Sequence, residues 1–73
     1  MELQGLIDEL FAESEFVSSM RLLLLAEMRD LPEDLIEICR IVPHGTYSRQ
    51  RLCDQMNSAL TGHGWGRVYG TVC

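Results

Sequence analysis

The apolar run from Phe16 to Met28, FVSSMRLLLLAEM, constrains this chain more than any other stretch. At about 100° per residue, Phe16, Val17, Met20, Leu23, Leu24 and Met28 fill one broad arc of a helix, and Leu22, Leu25 and Ala26 carry apolar surface around the back. Only Ser18, Ser19, Arg21 and Glu27 interrupt it. A helix that is apolar on nearly every side either spans a membrane or lies at the centre of a bundle. Arg21 and Glu27 stand too close together to leave the ~20 apolar residues of a span. A central helix, the first element to be buried, is expected, and no membrane partner.

The 73 residues make one domain, and a chain this short buries only about 60% of the surface its unfolded form exposes. With 47% of residues hydrophobic, it compensates through a dense core or through an apolar face shared with a second chain. The three cysteines, Cys39, Cys53 and Cys73, are odd in number and lack disulfide-scaffold spacing. The N-terminus is acidic and has no contiguous apolar leader. A reduced, cytoplasmic protein is therefore expected.

Charge is divided between the halves. Met1 to Cys39 holds ten acidic residues against Arg21 and Arg29, a net −8; Arg40 to Cys73 holds four arginines against Asp54, a net +3, which together give the formal −5. An acidic front half argues against wrapping nucleic acid with the whole domain. Lysine is absent, and arginine's planar fork suits specific pairing with carboxylate or phosphate.

Leu3, Leu6, Ile7, Leu10 and Phe11 recur at i, i+3, i+4, i+7 and i+8, which predicts an amphipathic first helix over about 2–12 with Gln4, Asp8 and Glu9 facing outward. The stripe then loses phase. Ser14 is the expected cap of a second helix over about 15–29. Pro32, Glu33 and Asp34 mark the start of a third, over about 32–42, stopped by Pro43 with His44-Gly45 as the turn. Thr46 or Ser48 caps a fourth over about 47–61, with Leu52, Cys53, Met56, Ala59 and Leu60 on its buried side and Gly62 as a left-handed stop. The tail, 62–73, is glycine-rich, and Val68 to Val72 suit an extended segment or a short strand. No internal repeat is visible. The expected class is all-α, a small bundle of four or more helices with an extended C-terminal tail.

No pattern specifies chemistry. Cys39, His44, Cys53, His63 and Cys73 are potential metal ligands, but without C-x-x-C or H-x-x-x-H spacing no metal or other cofactor is expected. Cysteine and histidine both occur, yet so short a chain leaves little room for a substrate cleft, so no catalytic residue is assigned. Gly62, Gly64 and Gly66 match neither a P-loop nor a dinucleotide fingerprint. Arg49 and Arg51 at the start of the fourth helix are a possible recognition-helix entry, although the domain lacks a broad basic face. The favoured reading of the same arginines is pairing with the acidic N-terminal half of this chain or of a neighbour.

LIDELFAESEFVSSMRLLLL, then DLPEDL, then YSRQRLCDQMNSALTGHGW resembles the bacterial effector-associated, death-like adaptor domains. The matching positions are Leu10-Phe11, Leu22 to Leu25, Ser48 with Leu52 and Leu60, and His63-Gly64. The resemblance implies a compact helical bundle without chemistry of its own, making homotypic or adaptor contacts that bring an effector enzyme to a sensor, often in microbial conflict systems. WGRVYGTVC stands where that family has its final helix.

The leading expectation is a non-enzymatic protein-protein interaction module whose partner is a second copy or a related helical domain. Its expected contact residues are Asp8, Glu9 and Glu13 on an acidic face, Arg49, Arg51 and Arg67 at the arginine end, and Trp65 and Tyr69 as aromatic anchors. The alternatives are a small helix-turn-helix DNA-binding regulator, or an acidic virus-encoded inhibitor of a basic host protein.

Overall fold

The computed structural model describes residues 2–64 and 70–73. Four helices and one small antiparallel sheet follow in the order α1 (Glu2–Leu10), β1 (Phe16–Ser18), α2 (Ser19–Met28), α3 (Glu33–Ile41), β2 (Thr46–Ser48) and α4 (Arg49–Gly62). Helix, strand, helix thus occurs twice, a repeat of architecture that the residues do not spell. β1 and β2 pair with the register Phe16↔Ser48, Val17↔Tyr47 and Ser18↔Thr46, so Val17 and Tyr47 sit at the middle of a locally two-fold ribbon. Both residues point into the core. The chain is mostly helical, but the sheet makes it more than the expected all-α bundle.

The two strands occupy positions assigned from the sequence to helix starts. Phe16-Val17 and Thr46-Tyr47 are β-branched and aromatic residues, which suit a pleated surface better than a first helical turn. In each case the following serine is the cap. Ser18 Oγ accepts from the Arg21 amide at 3.1 Å, and Ser48 Oγ accepts from the Arg51 amide at 3.4 Å. Ser48 was one of the two expected caps; Ser14 is not a cap, because it lies in the exposed connection before β1. That connection also rules out one continuous helix through the first two segments.

α2 closes in a Schellman arrangement. The Asp30 amide donates to the Glu27 carbonyl at 3.2 Å and the Leu31 amide to the Ala26 carbonyl at 3.3 Å, with Asp30 at φ 51° where glycine is usual. Pro32 then stands immediately before α3 without a side-chain cap, with Glu33 and Asp34 in the first turn as the sequence implies. α4 runs through Gly62, past the expected stop. The left-handed residue is Gly64, at φ 74°.

The core draws on every element. Leu3, Ile7, Leu22, Leu35, Ile38, Leu52, Met56 and Leu60 are fully enclosed, and Tyr47 and Val72 close its edges. Tyr47 keeps its hydroxyl satisfied by donating to the Pro43 carbonyl at 2.6 Å. The Ser19 hydroxyl accepts from the Gly45 amide at 3.1 Å while the Ser19 amide donates to the Gly45 carbonyl at 2.9 Å, which ties the start of α2 to the turn before β2.

The expected strand over 68–72 falls partly outside the described residues; residues 70–73 form neither helix nor strand. Side-chain amides hold this segment in place of a neighbouring strand. Asn57 donates to the Val72 carbonyl and accepts from the Val72 amide, both at 2.8 Å. Gln4 does the same for Cys73, at 2.9 and 3.0 Å. Gln4 therefore grips the tail, where the sequence suggests a solvated face.

Candidate protein-interaction surface

α2 has two apolar faces, and the structure buries only one of them, where the sequence leads to a central helix buried on nearly every side. Ser19, Leu22, Leu25 and Ala26 face the core. Phe16, Met20, Leu24 and Met28, expected inside, are 63%, 73%, 56% and 65% exposed, with Leu23 half-buried between the two sides. Met20, Leu24 and Met28 follow at i, i+4 and i+8 and form one ridge along the outward side of the helix. A shallow groove of about 400 Å³ runs beside it, lined by Ser18, Met20, Arg21, Leu23, Leu24 and Glu27.

The signal for this orientation is present in the sequence. Arg21 and Glu27 project about 60° to either side of Leu24 on the helical wheel, so the arc they bracket is the solvent side. Leu22 and Ala26 lie on the charge-free arc. With so many leucines, hydrophobicity alone does not distinguish the faces; the two charges do.

Three of the charged residues expected to meet a partner, Asp8, Glu9 and Arg49, are engaged within the chain. Arg49 pairs with Asp8 and also donates to the Cys73 carbonyl, from Nε at 3.2 Å and Nη2 at 2.9 Å. Arg49 lowers the Asp8 pKa below its ordinary value, helped by the Gln4 amide. Arg29 forks onto Glu9, with Nε 3.1 Å from Oε1, and lowers the Glu9 pKa in turn. Arg40 reaches Glu37 at 3.2 Å and Glu33 at 3.4 Å. Glu13 and Arg51 are exposed and make no ion pair among the described residues. Trp65, Arg67 and Tyr69 lie outside the described residues.

Asp8 and Arg49 thus come together inside one molecule, whereas Glu9 pairs with Arg29, and Glu13 and Arg51 do not join either pair among the described residues. Arg49 at the start of α4 is turned toward Asp8 and the tail rather than outward as a recognition helix requires. Among the described residues no group of three or more His, Cys, Asp or Glu side chains could hold a metal ion. Cys39 and Cys53 are buried, and burial pushes the Cys39 thiol up to about 12 and raises the Cys53 thiol as well. Among the described residues no helix is long and apolar enough to cross a membrane.

Comparisons with protein-family models, curated proteins and solved structures return no match.

Proposed function

We propose that this chain is a non-enzymatic interaction module of the adaptor kind, docking through the outward face of α2. The observation that carries this reading is the ridge of Met20, Leu24 and Met28, with Phe16 also exposed. Four large apolar side chains on so small a surface gain free energy when another protein covers them, at roughly 25 cal/mol per Å² of apolar area. The internal pairing of Asp8 and Glu9 moves the weight of recognition from charge to this apolar face. Glu13 and Arg51 remain available as contacts outside it. The likeness to effector-associated, death-like adaptor domains supports the same class of function, recruitment of an effector through helical contacts.

The test places a photo-crosslinking residue at Leu24 of the full chain in the cells that produce it. A discrete protein adduct that disappears when Met20→Asp is added is the expected result. Irradiation that yields no protein adduct refutes docking through this face.

A further inference from the structure

We propose that the occupant of the α2 face is a second copy of this chain, forming a two-fold dimer in which the two α2 helices cross near Leu24, their Met20–Leu24–Met28 ridges interdigitating, and Arg21 of each copy meets Glu27 of the other. This rests on the reading that α2 is a docking face and names its partner. The first argument is the symmetry of the sequence about Leu24. Met20 and Met28 lie four residues before and after it, and Arg21 and Glu27 lie three before and three after with opposite charge. A two-fold interface presents the same patch on both copies, so it requires a patch complementary to itself.

Helical geometry turns that symmetry into a specific packing. With a rise of 1.5 Å per residue, Arg21 and Glu27 sit about 4.5 Å below and above Leu24, on opposite flanks of the ridge. Parallel axes leave Arg21 and the opposing Glu27 about 9 Å apart along the helix, and antiparallel axes put like charges on the same flank. Two i±4 ridges interdigitate instead at about −50°, the commonest crossing of packed helices. For right-handed helices meeting at Leu24, that rotation brings each Arg21 to within about 4 Å laterally of the other copy's Glu27. Apolar shape and charge therefore select the same crossing.

Two further observations favour a second copy. Arg29, Arg40 and Arg49 each have a carboxylate within the chain, whereas Arg21 and Glu27 have no ion pair among the described residues. The exposed apolar area also fits. At roughly 200 Å² for a fully exposed large side chain, Phe16, Met20, Leu24 and Met28 offer on the order of 500 Å² per copy, and two copies together reach the ~1,000 Å² at which specific interfaces begin. An interface of that size is expected to dissociate in the low micromolar range, roughly 1–10 µM.

The experiment is analytical ultracentrifugation of the full chain over a concentration series, with circular dichroism as the check on fold. The parent is expected to be a concentration-dependent dimer. Leu24→Asp, an exposed substitution that leaves the helix intact, is expected to be monomeric throughout. Arg21→Glu and Glu27→Arg should each weaken dimerisation at least tenfold, because each sets like charges opposite one another twice. Mixing these two variants restores both pairs and should recover a heterodimer. A parent that stays monomeric up to about 100 µM, far above micromolar affinity, overturns the inference. If the Leu24 crosslink still captures another protein, only the second copy is ruled out; if it captures nothing, the docking face falls too. A dimer that survives Leu24→Asp, or a mixture that gives no heterodimer, refutes the Arg21–Glu27 packing.

Discussion

Leu22 and Leu24 are two residues apart on one helix and are expected to behave as opposites. Leu22 has no accessible surface, and Leu22→Ala removes three carbons from a packed site, at a cost of about 3 kcal/mol within the usual range of 2–5. A domain of this size has a total stability on the order of 4–11 kcal/mol, so the loss is a large fraction of the whole. At 4–8 °C per kcal/mol for a small domain, Tm should fall by roughly 10–25 °C. Leu24 is 56% exposed, and Leu24→Ala should change stability by no more than about 0.5 kcal/mol. Urea unfolding followed by circular dichroism measures both. The series should be run at low protein concentration and repeated at high concentration, because dimerisation through Leu24 would add a concentration-dependent term for the parent. If Leu24→Ala costs as much as Leu22→Ala in the dilute samples, α2 is turned the other way and the outward ridge does not exist.

Three further outcomes are expected. Ser18→Ala and Ser48→Ala should each lower stability by about 1 kcal/mol, and Ser18→Gly by only a few tenths, as read from urea midpoints. Asp8 and Glu9 have folded-state pKa values held below 3.8 and 4.5 by Arg49 and Arg29, so the stability they supply is complete above those ordinary values and is lost as pH falls through the folded ones. The Asp8→Asn, Glu9→Gln double variant should therefore show a shallower decline of Tm below about pH 5 than the parent. At pH 8 a thiol reagent should modify the exposed Cys73 in the folded protein and reach the buried Cys39 and Cys53 only after denaturant is added.

Local rules carried much of the fold into view. The stripe from Leu3 to Leu10 places α1, Pro32 with Glu33 and Asp34 starts α3, and Ser48 starts α4 close to where the structure has them. What escaped them depends on partners distant in sequence. Phe16–Ser18 and Thr46–Ser48 are strands only because each finds the other; in isolation, two residues and a serine cap look like the beginning of a helix. Gln4 and Asn57 are ordinary outward positions until the tail arrives to pair with them. For the interaction surface, the sequence points to charged and aromatic residues and to an α2 buried on nearly every side, whereas one apolar face of α2 stays outside. The Arg21 and Glu27 flanks carry that information, but abundant leucine masks it.

The short ribbon also bears on how the chain reaches this state. β1 and β2 lie on either side of α2 and α3, so pairing them closes a loop that contains both helices. Closing such a loop before its contents are ordered carries a chain-entropy cost with only a few hydrogen bonds in return. α2 and α3 are joined by the tight turn at Asp30 and pack directly on each other. That helical hairpin can form from local contacts and bring the strands to the same end. On that order the ribbon is a latch set late, and truncating Val17 or Tyr47 should speed unfolding, measured by stopped-flow, more than it slows folding.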